Sequence, residues 1–206
     1  MSSKQTFPSD IAFTDTVKAL QLRNGSRRSY ARMEAGGGWR TELTDDIAAF
    51  IHEQTSVFLA TVNADGQPYV QHRGGPKGFL KVLDEHTLGL ADFRGNKQYI
   101  SVGNLSENKK AHLFLIDYEH QRRVKIWGEA EAIENDPALL SSLMPADYEA
   151  TPERAIVFHV KTWDANCPQH IPQRFEAADV KAALEKRDAR IVALEAEVAS
   201  LRLRSS

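Results

Sequence analysis

Cysteine is almost absent: Cys167 stands alone in 206 residues. It cannot close an intrachain disulfide, so nothing calls for an oxidising compartment, and one thiol excludes a multi-cysteine zinc site. With proline after it and no activating base beside it, Cys167 is not read as a nucleophile. No run of about 18 apolar residues exists, and the opening Met-Ser-Ser-Lys-Gln lacks the apolar stretch of a secretory signal, so the expectation is a soluble cytoplasmic protein with no membrane partner. Charge of one sign is also lacking. Lys and Arg number 26 against 28 Asp and Glu, a net of −2, which argues against a surface built to cover nucleic acid. No G-K-[ST] phosphate loop and no H-x-x-x-H metal spacing occurs. What is present, 42% hydrophobic residues in a chain of this length, suffices for one sizeable core and an appendage.

The chain changes character twice. Residues 1–43 read as a helical arm: Thr14 caps a helix over 13–22, and Gly36-Gly37-Gly38 marks a flexible joint. Thr44-Asp45-Asp46 then caps a second helix with Ile47, Phe50 and Ile51 facing inward. From Ser56 the period becomes that of extended chain. Segments 57–62 and 68–72 flank the turn Asn63-Ala64-Asp65-Gly66, and segments 79–83 and 87–91 flank Asp84-Glu85-His86. A helix is expected from Asn96 to Leu105, then strands over 111–118 and 123–132, a helix from Asp136-Pro137 and a last strand over 155–160. Six or seven antiparallel strands around one core, with inserted helices, fit a small closed or split β-barrel better than the competing sandwich, because closure removes exposed edges. The fold class is therefore mainly β (α+β), with the barrel over 44–175. Residues 176–206 form the appendage: Leu184, Ile191 and Val198 repeat every seven residues with Arg187, Leu194 and Leu201 as the complementary set, a coiled-coil seam that implies self-association into a homodimer.

Glycine is sparse, and where it gathers beside cations the chain is set up for an anion. Gln71-His72-Arg73-Gly74-Gly75-Pro76-Lys77-Gly78-Phe79-Leu80-Lys81 and Phe93-Arg94-Gly95-Asn96-Lys97-Gln98-Tyr99 interrupt strand-like sequence. Glycines let backbone N–H groups approach a ligand, and Lys and Arg supply charge-assisted hydrogen bonds. A strand carrying Arg73 and Lys81, with a helix N-terminus over Asn96–Gln98, would bring two cations and a helix dipole to one phosphate. Arg123 and Lys125 share a strand face. Trp127 is read as lying on the opposite face from Lys125, a core or interface aromatic. The segment from Trp163 to His170 is read as an irregular polar loop of the kind that completes sites. His72 and His170 are read as structural histidines.

Taken in order, Phe58-Leu59-Ala60-Thr61-Val62 with Asp65-Gly66-Gln67-Pro68, Arg73-Gly74-Gly75-Pro76-Lys77-Gly78-Phe79, Gly95 to Ser101 with Gly103-Asn104-Leu105, and Arg123 to Ala130 resemble the pyridoxamine 5′-phosphate oxidase-like family of FMN-binding split barrels, over most of residues 45–175. The resemblance implies a homodimer with two FMN molecules at the subunit interface, each ring touched by both chains. It implies that Lys81, Asn96, Lys97 and Gln98 hold the phosphate, that Arg73, Gly75 and Phe79 border the ring or ribityl chain, and that Arg123 and Lys125 place positive charge near the ring. It further implies that Asn166, Gln169 and His170 reach the flavin of the partner subunit. Asn96 and Gln98 stand where the vitamin-processing enzymes carry Ser and Lys, Arg123 where they carry Gln, and only His170 and Arg174 suggest their C-terminal Arg and His pair. The substrate is accordingly left open. The expected function is an FMN-dependent oxidoreductase acting on a small molecule or a nicotinamide electron donor, with no catalytic acid or base named. The alternatives are a flavin carrier without turnover, a related barrel that binds haem or a deazaflavin, and a non-enzymatic dimer whose tail recruits a partner.

Overall fold

Alternation of apolar and polar residues through the middle of the chain produces seven antiparallel strands in the computed structural model, which describes residues 6–166 and 168–204, the side chain of Asn166 excepted. The strands are β1 (Ser56–Val62), β2 (Pro68–Gly74), β3 (Leu80–Asp84), β4 (Thr87–Phe93), β5 (Lys110–Asp117), β6 (Arg122–Ile133) and β7 (Pro152–Asn166). They pair in the order β2-β1-β5-β6-β7-β4-β3, so β2 and β3 are edges and the backbone ladder does not close. The fold is a mainly β split barrel. Strict alternation in β1, β5 and the first half of β6 sends Val57, Leu59, Leu113, Leu115, Val124 and Ile126 inward, where they meet Leu80, Leu88, Leu90, Ile156 and Phe158 in one core.

Helices cover what the sheet leaves open. α1 (Asp15–Arg23) starts as expected at Thr14, whose side chain accepts from the Val17 N–H at 3.3 Å. α2 (Arg27–Ala35) was not expected from the sequence, where its scattered charges leave little apolar stripe. Its end also corrects the reading of the glycine run. Gly38 N–H donates to the Met33 carbonyl at 2.9 Å, and Gly37 and Gly38 take φ of 109° and 65°, a left-handed helix stop that steers Trp39 into buried packing. Glycine here fixes a corner. α3 (Asp45–His52) presents Ile47, Phe50 and Ile51 to the core as its period requires. α4 (Ile100–Glu107) lies against β1, β2 and β6, and α5 (Pro137–Leu143), capped by Asp136 accepting from Leu139 N–H at 2.9 Å, covers the outer side of β4 and β7 through a second cluster that includes Leu143, Ala91 and Ala155.

The last strand is longer than its apolar centre suggested. β7 runs through Trp163 and Asp164 to Asn166, in register with β6 from Ile133↔Ala155 to Arg123↔Asn166, so the first four residues of the stretch read as an irregular loop are strand, while Pro168, Gln169 and His170 lie beyond it. Trp163 is buried there and donates from Nε1 to the Glu42 carbonyl at 2.8 Å. Cys167 falls outside the described residues.

The chain divides into two compact units. Residues up to Asp117 with Arg122–Pro168 make the first. Tyr118–Gln121 and the chain from Gln169 make the second, where Gln121 Nε2 donates to the Ile171 carbonyl at 2.5 Å and the Arg174 guanidinium sits 4.5 Å from the Tyr118 ring centre. From Ala177 to Arg204 the second unit is α6, a single helix of 28 residues with none buried. Among the described residues no helix is long and apolar enough to cross a membrane.

Candidate functional site

The open seam of the barrel is joined by side chains instead of a ladder. Arg73 on β2 is in register with Val57 of β1 and so shares the inward face, and Asp92 shares the inward face of β4 with Leu88 and Leu90. Arg73 Nη1 donates to Asp92 Oδ1, and Arg73 Nη2 donates to Gln71 Oε1 at 3.1 Å. On the other side of the carboxylate, Arg154 Nε of β7 lies 3.6 Å from Asp92 Oδ2, while its Nη1 donates to Glu134 at 2.8 Å and its Nη2 to Glu153 at 3.1 Å. The Asp92 and Arg154 side chains are 8% and 9% exposed, so two guanidiniums share one carboxylate almost out of water. Burial pushes the Asp92 carboxyl above its ordinary value, against the pull of Arg73 and Arg154. The Nε atoms of both arginines are buried without an acceptor, a measure of how crowded this junction is.

Beside this junction the backbone changes hand. Lys97 and Tyr99 have φ of 59° and 55°, an unusual conformation for residues other than glycine. Asn96 Oδ1 accepts from the Gln98 N–H at 3.2 Å, closing a turn that delays the helix from the expected Asn96 to Ile100. The first helical bond there is from Gly103 N–H to the Tyr99 carbonyl, and no side chain caps α4. Amides at the start of α4 thus lack helical acceptors and carry the positive end of its dipole. Ser101 Oγ donates to Gln71 Oε1 at 2.8 Å and Asn104 Nδ2 to Thr61 Oγ1 at 3.0 Å, buried bonds that fix α4 on the barrel end. Gln71, Arg73, Asp92, Lys97, Tyr99 and Ser101 line one cleft there, with Gly95 and Asn96 at its margin, and the cavity is only about 40 Å³. That is far below the several hundred Å³ of a typical cofactor pocket.

A second group of functional candidates stands elsewhere. Trp127 stacks on Trp39 with ring centres 4.6 Å apart and planes at 20°, His112 meets Trp127 edge-on at 4.8 Å, and Lys125 Nζ sits 5.4 Å from the Trp127 ring centre and 3.1 Å from Asp164. Lys125 and Trp127 therefore share a face, as residues two apart on a strand must, which corrects the expectation that they oppose each other. Burial and the neighbouring Lys125 charge lower the His112 pKa to about 4. Its imidazole is neutral at neutral pH. This patch lies on the outward side of β5 and β6, opposite Ile126 and Leu113.

Residues 43–167, more than half of the chain, match the family model described as pyridoxamine 5′-phosphate oxidase. The chain belongs to the pyridoxamine 5′-phosphate oxidase family. Among solved structures, the H111A variant of HupZ from Group A Streptococcus is 16% identical, covers 60% of this chain and 99% of its own, and gives a TM-score of 0.50, a likeness of fold alone. A pyridoxamine 5′-phosphate oxidase candidate from Lactobacillus delbrueckii is 26% identical over 61% of this chain and 95% of that one, with a TM-score of 0.46. An FMN-binding protein from Syntrophomonas wolfei is 14% identical over 71% and 97%, with a TM-score of 0.49. No curated protein sequence matches the chain.

For a member of the pyridoxamine 5′-phosphate oxidase family, the placement of the residues singled out in the sequence is uneven. Arg73, Asn96 and Lys97 line the cleft, and Gln98 is exposed beside it. Lys81 does not join them, which corrects the expected convergence with Arg73. It is in register with Gly89, where a Cβ would lie 2.7 Å from Leu143, so it faces outward toward α5 and donates to the Met144 carbonyl at 3.4 Å. Phe79 is a core residue, and Gly75 is there to let it pack, since a Cβ at 75 would lie 2.6 Å from that of Phe79. Arg123 and Lys125 belong to the outward face of β6. Asn166 is the last residue of β7 and its side chain lies outside the described residues, while Gln169 and His170 are exposed and belong to the second unit. Sequence reading missed Asp92 and Arg154. An aspartate in the otherwise apolar run Leu88-Gly89-Leu90-Ala91-Asp92-Phe93 is a signal for a buried charge, and Arg154 just before Ala155-Ile156-Val157-Phe158 is its counterpart.

Proposed function

We propose that this chain is an FMN-binding split-barrel protein that acts as an oxidoreductase, the flavin held between two copies. The observation that carries the reading is the uncapped start of α4 beside Lys97, in a family member whose own cleft is too small to enclose a flavin. Among the described residues Lys97 has no acidic partner, in contrast to Arg73. An exposed ammonium, free helical amides and the Asn96 turn suit a phosphate group. Arg73 is engaged by Asp92, so its part is to hold the cleft's shape and to offer residual positive charge to its edge. Tyr99, resting 5.1 Å from the Arg154 guanidinium, gives the cleft an apolar side for a flat ring. The rest of the enclosure is assigned to a second copy, whose outward β6 face would bring Arg123 and Lys125. FMN, when bound, accepts a hydride or single electrons, and the protein's part is to place it and exclude water.

The first test is absorption: purified chain that binds FMN, turns yellow and bleaches on addition of a reduced nicotinamide supports the proposal. Yellow protein inert to electron donors supports a carrier, and colourless protein that ignores FMN sinks both. The phosphate assignment has its own test. Lys97→Glu should weaken FMN by about 1.4 kcal/mol or more, roughly tenfold, and leave riboflavin nearly unchanged, because the reversed charge acts on the phosphate. Equal losses for the two ligands would remove Lys97 from the phosphate site.

A further inference from the structure

We infer that α6 is one strand of a parallel, in-register two-stranded coiled coil whose other strand is the α6 of a second copy. This extends the homodimer of the preceding section but stands on the helix alone, whether or not flavin binds. The helix of 28 residues buries none of them, and isolated helices are marginal in water. Val180, Leu184, Ile191, Leu194, Val198 and Leu201 are each between 41% and 54% exposed. With Arg187 their spacing is an unbroken alternation of four and three, which places them on one seam. Leu184, Ile191 and Val198 fall at the a position, and Val180, Arg187, Leu194 and Leu201 at d. Ile191 and Val198 at a with Leu194 and Leu201 at d favour two strands, while Arg187 at d faces its own copy in this arrangement, a cost in stability that its long side chain lowers by carrying the charge out to water.

The flanking charges choose the orientation. In a parallel pair each g residue meets the e residue five positions on in the other chain. Here those pairs are Glu176, one residue before the helix, with Lys181, Ala183 with Asp188, Arg190 with Glu195, and Glu197 with Arg202; the three pairs charged on both sides are all of opposite sign. Antiparallel pairing about the same seam, which sets Leu184 against Leu201 and Ile191 against Leu194, puts Asp188 beside Glu195 and Lys181 beside Arg202, both repulsive, against one attractive contact of Arg190 with Glu197. The flanking charges of α6 thus favour the parallel direction, which has three attractive flanking contacts and no repulsive one. The occupant is an identical helix, because the same segment carries both halves of each complementary pair.

The test uses the full chain in a Cys167→Ser background, so that each introduced thiol is the only one. Val180→Cys and Leu201→Cys should each give a covalent dimer on mild oxidation, since residues at d face their own copies in a parallel pair. In an antiparallel pair two residues at 201 would be about 25 Å apart, at 1.5 Å of rise per residue, and would not react. Arg190→Glu should slow the Leu201→Cys cross-link about tenfold, and Arg190→Glu with Glu195→Arg should restore it. The inference is overturned if neither thiol variant cross-links, if a mixture of Leu184→Cys and Leu201→Cys chains cross-links through those two positions, or if the double charge swap does not recover. Flavin binding measured on the same variants separates this outcome from failure of the flavin reading, because none of these residues lies on the cleft.

Discussion

The cleft and the outward aromatic patch are built from similar cations and treat them in opposite ways. In the cleft Arg73 and Arg154 are held almost out of water on Asp92, and among the described residues Lys97 has no acidic counter-ion. On the patch Lys125 lies over Trp127, near Trp39, with Asp164 in contact, and burial, aided by the Lys125 charge, keeps His112 neutral. The lesson is that the cationic residues of a strand sequence cannot be pooled into one site. Parity on the strand and the nearest carboxylate decide what each does.

The largest effect should come from the centre of the cleft. Asp92→Ala leaves two buried guanidiniums without their shared counter-ion and should lower stability by about 3–5 kcal/mol in denaturant unfolding. A loss below about 1 kcal/mol would mean that water already solvates the junction. On the patch, Trp127→Ala should cost about 3 kcal/mol by opening the stack on Trp39, and Trp127→Phe should recover much of that. If the alanine variant melts like the parent, the patch is a surface ornament and the contrast collapses.

The patch should also be the region that responds to mild acid. His112 is depressed to about 4 in the folded chain against about 6.5 unfolded. Below about pH 6.5 the unfolded state binds a proton that the folded state refuses, so stability falls as pH drops toward 4 and levels off beneath it. At pH 5 the penalty is about 2 kcal/mol relative to pH 8. His112→Gln should remove this slope, measured as melting temperature against pH. An unchanged slope would assign it to other groups. The smallest effect is expected at Lys81: Lys81→Gln should change stability by less than about 1 kcal/mol and leave FMN affinity at the parent value, in contrast to Lys97→Glu. A tenfold loss of FMN there would return Lys81 to the phosphate.

Much of this architecture was legible before folding. The period of two in Ser56–Val62, Lys110–Asp117 and Arg122–Ala130 named the strands and their buried faces, and Thr14 and Asp136 named helix starts, because these are local rules acting on local residues. Lys97 and Asn96, which line the cleft, were singled out from the glycine and charge beside them and from the family's pattern. Arg154 was missed because its importance comes from Asp92, 62 positions earlier in the chain and adjacent only across β4 and β7. β7 was cut short at Val160 because Thr162, Asp164 and Asn166 look like loop residues, yet pairing with β6 carries them into the sheet. Lys81 was misplaced for a related reason: its own strand shows which neighbours share its face but not which face α5 covers.

The amino-acid order alone set the antiparallel barrel strands, the buried positions within them and the heptad seam of α6, since each follows from a repeat of two or of three and four along the chain. Tertiary structure alone decided that β2 and β4 meet through Arg73 and Asp92, that Lys97 is left without a carboxylate among the described residues, and that Trp127 stacks on Trp39. Those outcomes depend on distances between residues far apart in sequence, and a charge buried from water takes whichever partner the fold brings within reach.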